Sequence, residues 1–333
     1  MKRSIILSSA WLAIGLIAGC QEPAGPPPEQ AEESSAATVQ VSDAAPLTEV
    51  QEAQTVDLGE RMDCVREENG LLLAAHRGGP DHGYPENALE TLQHALNSGI
   101  PMMEIDVAES RDGVLFLMHD RSLTRTTTGS GAVADTDWET IASLQLVDND
   151  GKVTKFHAPR LSDVLDWAVE SGALLELDRK PTTSFRNIID AVRQAGAEDN
   201  VLIITYNDEE AWQVADLAPD LMMTAGVGGR EHEAALLEGG VDATRLIAWT
   251  GTSEPSPGKW RGLASQGIES AFGTLGRSGE RLDDQYWADG DPEEYEARVE
   301  NGLVLLATDR PYEIGQAGGT LAGAITRAQT CLR

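Results

Sequence analysis

Residues 71–79 read Leu71-Leu72-Leu73-Ala74-Ala75-His76-Arg77-Gly78-Gly79, an apolar run that ends on a histidine, an arginine and two glycines. Such a run is a strand candidate with polar residues gathered at its C-terminal end. A helix pattern follows. Asn87-Ala88-Leu89-Glu90 has the form of a capping box with Asn87 as the cap. Ala88, Leu89, Leu92, Ala95 and Leu96 then share one helical face, and Gly99 is the stop. The alternation continues along the chain. Further strand candidates fall at 102–107, 114–118, 173–177, 201–205, 221–225, 246–249, 268–272 and 303–307, with helices at 161–170, 185–195, 209–217, 231–238, 259–266 and 293–300. Alternating strands and helices predict a parallel sheet, and a region of this length suits a single closed (β/α)8 TIM-type barrel. One strand candidate is surplus to the eight that close a barrel. The link from Val107 to Val114 is too short to hold a helix, so an irregular stretch is expected after the second strand: a hairpin, or a crossover without its helix.

The chain has 333 residues and a formal net charge of −30. A surface of that sign repels nucleic acids and anionic lipid headgroups, which argues against nucleic-acid binding. A site for an anionic substrate in such a protein must carry its own local positive charge. Lys2 and Arg3 precede an apolar run from Ile5 to Ala18, the pattern of an export signal and too short for a comfortable membrane span. It ends in Ile17-Ala18-Gly19-Cys20, which resembles a bacterial lipoprotein signal, and that resemblance implies lipidation of Cys20 as the first mature residue. Gln21 after the cysteine resembles an outer-membrane destination. From Gln21 to about Asp57 the chain is rich in Pro, Glu, Ala, Ser and Gln, and no Lys or Arg occurs between Arg3 and Arg61. That composition predicts a disordered tether. The expected organisation is a leader over 1–19, a tether over 20–57 and the barrel domain over 58–333. Cys64 and Cys331 stand at the two ends of the domain, one before the first strand and one after the last helix. Export permits a disulfide between them, the alternative being two free buried thiols.

The candidate chemistry sits at the strand ends, where barrel enzymes keep their sites. His76 and Arg77 follow the first strand. Glu104 and Asp106 lie two apart on the second, so both point to one face. His119 and Asp120 close the next run, and Glu176, Asp178 and Lys180 alternate onto one face of the run after it. Carrying so many inward charges is costly unless a cation binds them. Carboxylates with open coordination positions suit a hard divalent ion, Mg²⁺ or Ca²⁺, and two histidines on different strands suit a general acid and a general base. His82, His94, His157 and His232 belong to no motif and receive no role. Trp249, Trp260 and Trp287 are more readily placed in packing than at the mouth.

Several short blocks follow one another in a familiar order: Ala75-His76-Arg77-Gly78-Gly79, Pro85-Glu86-Asn87, Glu104-Ile105-Asp106-Val107, Asp112-Gly113, His119-Asp120, Leu123 with Arg125-Thr126-Thr127 and Gly129, and Thr308-Asp309-Arg310-Pro311. Residues 159–165 and 204–207 add two more. In this order the chain resembles the glycerophosphodiester phosphodiesterases over nearly the whole domain. The resemblance implies that His76 and His119 are the catalytic pair, that Glu104 and Asp106 are metal ligands, and that Arg77 contacts phosphate. The family's next motif is Glu-x-Lys, usually followed by Pro. Its best match here is Asp178-Arg179-Lys180-Pro181, with Asp where Glu is usual, so the third ligand is Asp178 or, one pleat earlier, Glu176. Lys180 falls with the substrate contacts. The implied reaction releases an alcohol and glycerol 3-phosphate, with the substrate's own glycerol hydroxyl as attacker and a cyclic phosphate then opened by water. A related phospholipase, of the phosphatidylinositol phospholipase C or sphingomyelinase D kind, is the competing enzyme. The Pro85-Glu86-Asn87 and Thr308-Asp309-Arg310-Pro311 blocks, and the lack of an obvious membrane-docking loop, count against it. A non-catalytic surface-binding lipoprotein is the competing non-enzyme, and the presence of both histidines and both ligands opposes it.

Overall fold

A computed structural model describes residues 56–254, 256 and 258–333; the leader and most of the tether lie outside the described residues. The strands are β1 (Leu72–Ala75), β2 (Met102–Glu109), β3 (Leu115–Leu117), β4 (Gln145–Val147), β5 (Val153–His157), β6 (Leu174–Arg179), β7 (Val201–Ile204), β8 (Met222–Gly226), β9 (Leu246–Trp249), β10 (Glu269–Gly273) and β11 (Leu305–Thr308). The helices are α1 (Leu58–Glu67), α2 (Leu89–Asn97), α3 (Trp138–Ser143), α4 (Leu161–Ser171), α5 (Phe185–Ala195), α6 (Asp208–Leu217), α7 (Arg230–Glu238), α8 (Lys259–Ala264), α9 (Leu282–Tyr286), α10 (Glu293–Glu300), α11 (Pro311–Gly315) and α12 (Gly319–Cys331).

Eight strands, β1, β2 and β6 to β11, pair in parallel, and β1 pairs with both β2 and β11, which closes the barrel. The surplus strand is β3. It turns back from β2 and pairs antiparallel with it, Val107 opposite Leu117, so the irregular stretch is a hairpin at the rim. A second hairpin, β4 with β5, is antiparallel and lies outside the barrel sheet. Its alternating exposed residues include no apolar run to announce it.

The strand period of two sorts each barrel strand into an inner and an outer set. Leu72, Ala74, Met102, Leu174, Leu202, Met222, Ile247, Ala271 and Leu305 pack together inside, and α1 seals the lower end with Leu58, Met62 and Val65. Leu73, Ala75, Met103, Ile105, Leu175, Leu177 and Ile203 face the surrounding helices. Because Met102 and Leu174 point inward, so must Glu104, Asp106, Glu176 and Asp178. The register sets Glu104 beside Glu176 and Asp106 beside Asp178. The lower interior is therefore apolar and the upper interior acidic.

Two details of the sequence reading change. Asn87 does not cap α2: the cap position is Ala88, without a side-chain bond, and Asn87 sits at φ 58° with its side chain turned to Asp106. Cys331 ends α12 itself rather than following the last helix, and Cys64 lies within α1. The two sulfurs are bonded, with Cα atoms 5.6 Å apart.

Candidate active site

Ala74 is in register with Ala307, so His76 and Asp309, two residues further along each strand, arrive at the mouth together. His76 Nδ1 lies 2.7 Å from Asp309 Oδ1. Asp309 is itself held in place. Its Oδ2 accepts from the Gly276 amide at 3.0 Å and pairs with Arg281 at 2.8 Å. Its own amide donates to the fully buried Asp283, which also accepts from Thr308 and Tyr295. Burial opposes ionisation of Asp309, but the His76 bond and charge, the Gly276 amide and Arg281 outweigh it and hold the carboxyl at about 2. A carboxylate fixed on Nδ1 sets the tautomer of His76 and leaves Nε2 free for proton transfer. Nε2 faces Glu104 Oε2 at 4.0 Å.

The backbone around His76 is built for the site. Arg77 lies at φ 53° in the left-handed region, which points its amide at Glu104 Oε2, 2.7 Å away. Gly78 follows at φ 87°, where a Cβ would also strike Leu92. Asn87 is the second non-glycine residue in this region committed to a carboxylate. Its Nδ2 donates to Asp106 Oδ2 at 2.6 Å, and its Oδ1 accepts from the Asp106 amide at 2.9 Å. Left-handed conformations of this kind cost energy and persist where surrounding bonds over-determine them.

Glu104, Asp106 and Asp178 each offer an oxygen within 4.8 Å of the others, and all three are buried. Lys180 Nζ contacts Asp106 Oδ1 at 2.5 Å and Asp178 Oδ2 at 2.7 Å. Burial, then the charges of Asp106 and Asp178, push the Glu104 carboxyl well above its ordinary range. Asp178 Oδ1 is buried and has no hydrogen-bond partner among the described residues. Three buried carboxylates against one ammonium, with one oxygen unpartnered, fit a divalent cation. Like charges this close and this dry cannot all ionise otherwise. Glu176 is not part of the triplet. It lines the cavity one layer down, and burial, then the Asp178 charge, push it up to about 8.

His119 follows β3, and the residue before it, Met118, donates its amide to the Asp106 carbonyl at 2.9 Å. His119 Nδ1 lies 2.7 Å from Asp120 Oδ1. Asp120 pairs with Arg125, Arg125 embraces Glu86 with both terminal nitrogens, and Glu86 also pairs with Arg77. The Arg125 bond holds the Asp120 carboxyl far below its ordinary range, against burial and with the help of His119. One polar chain thus runs from His119 to Arg77. His76 lines two adjoining cavities, and His119 lines neither. The first, about 290 Å³, is walled by Ile204, Tyr206, Trp249 and Leu275 above Glu176. The second, about 380 Å³, is bordered by Arg77, Arg125 and Arg281.

Sequence reading placed His76, Arg77, Glu104, Asp106, Asp178 and Lys180, and the structure brings these together. It gave no role to Asp309, Glu86, Arg125, Arg281 or Tyr206. Asp309, Glu86 and Arg125 stood within the quoted blocks, and their partners are 233, 39 and 5 positions away. Arg281 belonged to no block. Trp249 reaches the mouth, whereas Trp260 is buried on Thr250 and Trp287 packs against Tyr295. The remaining histidines have local partners: His82 on Asp150, His94 stacked on Tyr84, His157 on the Leu144 carbonyl and His232 on Asp208.

Fold and site together define a (β/α)8 barrel enzyme with an acidic cluster at its mouth. Comparisons with known proteins narrow the class. The model of the glycerophosphoryl diester phosphodiesterase family matches residues 76–224. A glycerophosphodiester phosphodiesterase of Caldanaerobacter subterraneus is 28% identical over 185 residues, 54% of this chain and 74% of that one. An uncharacterized protein of Bacillus subtilis is 27% identical over 247 residues, covering 72% of this chain and 95% of that one. Among solved structures, a glycerophosphoryl diester phosphodiesterase from Parabacteroides distasonis superposes with a TM-score of 0.70 at 26% identity, over 82% of this chain and 93% of that one. An Oleispira antarctica phosphodiesterase, solved with its product sn-glycerol-3-phosphate, shares the fold at a TM-score of 0.60 and 20% identity, over 78% of this chain and 99% of that one. Residues 76–224 form a domain of the glycerophosphoryl diester phosphodiesterase family.

Proposed function

We propose that this protein hydrolyses glycerophosphodiesters to an alcohol and glycerol 3-phosphate, using a hard divalent cation, Mg²⁺ or Ca²⁺, held by Glu104, Asp106 and Asp178. The observation that carries this reading is the buried carboxylate triplet set beside a carboxylate-held His76 at the mouth of a barrel of this family. The donor set is all oxygen, which suits Mg²⁺ or Ca²⁺ over softer ions. When bound, such a cation neutralises phosphate oxygens and the charge that grows on them. The chain's own residues do the rest. Arg77 and Lys180 bind the phosphate, and Glu86 keeps the Arg77 guanidinium in place. His76 and His119, each held through Nδ1 by a carboxylate, present Nε2 to the reaction. One removes the proton of the attacking hydroxyl, and the other protonates the alcohol oxygen as its bond to phosphorus breaks.

The cellular setting is part of the same proposal. The charged, then apolar leader ending at Cys20 supports export and a lipid anchor in the cell envelope, of outer-membrane type. The Cys64–Cys331 bond supports an oxidising compartment.

The deciding assay uses purified protein beginning near Asp57, with glycerophosphocholine and phosphatidylinositol as substrates, with and without EDTA. Glycerophosphocholine cleavage that chelation abolishes and Mg²⁺ or Ca²⁺ restores is expected. Full activity in excess EDTA, with no metal retained by elemental analysis, would remove the cation from the reading. Cleavage of phosphatidylinositol alone would move it to a phospholipase.

A further inference from the structure

The two oxygens of Asp178 have different surroundings. Oδ2 accepts from Lys180 Nζ at 2.7 Å and from the Tyr206 hydroxyl at 2.7 Å. Oδ1 is buried and unpartnered. An aspartate reaches one methylene less far than a glutamate, so the rotation of its carboxylate decides what it offers to the cluster. Lys180 alone is a poor anchor for that rotation, because it divides itself between Asp178 and Asp106. The Tyr206 hydroxyl has no other partner among the described residues.

Tyr206 is 67% exposed, but its backbone is anchored. Its amide donates to Glu210 Oε2 at 2.9 Å, while the Glu210 amide donates to Asn207 Oδ1 at 3.0 Å, a reciprocal cap on the first turn of α6. Glu210 Oε1 pairs with Arg179 at 2.7 Å, and the Arg179 guanidinium lies over the Phe185 ring at 4.7 Å. Arg179 is the chain neighbour of Asp178. Both ends of the Tyr206–Asp178 bond are thus tied to one carboxylate, Glu210, in a closed loop of contacts.

We propose that Tyr206 is a positioning residue of the metal centre: by donating to Asp178 Oδ2 it fixes the carboxylate so that Oδ1 faces the cation shared with Glu104 and Asp106. This rests on the metal-site reading above. Groups that orient a metal ligand typically change metal affinity by roughly ten- to a hundredfold when removed. The ring of Tyr206 lines the cavity, so the hydroxyl must be tested apart from the ring. Tyr206→Phe does this.

The experiment is calorimetric titration of Mg²⁺ and Ca²⁺ into the full chain, purified in detergent and stripped with EDTA. Four proteins are compared: wild type, Tyr206→Phe, Asp178→Glu and the double variant. Tyr206→Phe should bind about tenfold more weakly, with an unchanged melting temperature in the metal-free state. In the Asp178→Glu background the longer side chain carries its carboxylate past the hydroxyl, and removing that hydroxyl should change affinity by less than about twofold, a coupling that the cycle isolates. Equal affinity of Tyr206→Phe and wild type would overturn the proposal, as would the same loss in both backgrounds. A wild type that binds neither ion would remove the metal reading and this one with it. A coupled loss of binding in a protein that cleaves no glycerophosphodiester would support the positioning role while removing the activity.

Discussion

At the scale of single residues, both candidate histidines are held through Nδ1 by a carboxylate, and substitution tests each of them. His76→Ala and His119→Ala should each lower turnover by at least about a hundredfold, with circular dichroism unchanged, because each removes a proton-transfer group. Near-normal turnover in either would take that residue out of the reaction. Asp309→Asn should keep the fold and lower kcat by tenfold or more, since an amide no longer fixes the Nδ1 proton of His76. It should also change the acid limb of stability. The Asp309 carboxyl titrates at about 2 in the folded protein against an ordinary 3.8. A depressed carboxyl contributes stability that is complete above its unfolded pKa and is lost as the pH falls through the folded one. The window therefore runs from about pH 4 down to about pH 2, and the contribution is about 2 kcal/mol. Urea midpoints measured from pH 5 to pH 2.5 should fall more steeply for wild type than for Asp309→Asn; parallel curves would refute the linkage. The candidate catalytic and ligand residues were legible in sequence because their blocks are local: His76-Arg77, Glu104-x-Asp106 and His119-Asp120. Asp309 carried no role there because its meaning is a contact with a residue 233 positions away, made only when the barrel closes. Asn87 misled for the opposite reason. Its local signal was a cap, and a bond to Asp106 overrode it.

At the scale of elements, α1 is attached by more than its apolar face. Arg66 Nε donates to Glu269 Oε1 on β10 at 2.7 Å, and Glu269 is buried. Burial pushes that carboxyl up to about 6 although Arg66 opposes it. Removing the guanidinium leaves a buried acid without compensation, so Arg66→Leu should cost about 3 kcal/mol. The contact lies at the lower end of the barrel, away from the mouth, so kcat should not move. An urea midpoint equal to wild type would mean that α1 does not depend on this pair. The sequence showed α5 and α10 to the residue: α5 carries the buried stripe Phe185, Ile188, Ile189 and Val192 between Ser184 and Gly196, and α10 is marked by its ends, Pro292 and Asn301-Gly302. It did not show α1, whose decapeptide holds five charged residues, or the β4–β5 hairpin, which is stabilised by turn geometry and by pairing rather than by an apolar run. For α12, the buried stripe Leu321, Ala324, Ile325 and Ala328 is half alanine and gives a weak periodic signal.

At the scale of the whole molecule, the Cys64–Cys331 bond joins α1 to α12 across 267 positions of sequence. In the chain-entropy account a loop that long restricts the unfolded chain by up to roughly 5 kcal/mol, and measured gains often fall short of that. Reduction should lower the melting temperature by several degrees and leave turnover unchanged, because neither sulfur approaches the mouth. Thiol counting on denatured, unreduced protein should find none from these two residues; two free thiols would refute the bond in solution. The pairing was open to sequence reasoning because closure of a parallel barrel returns the last strand to the first, here β11 to β1. The same bond turns nearly the whole domain into a covalent ring. A protease that cuts once anywhere between Cys64 and Cys331 opens the ring without freeing a piece, so a nicked molecule should run as one band before reduction and as two after it. Under the N-terminal lipid anchor proposed above, a broken loop therefore need not mean a lost domain.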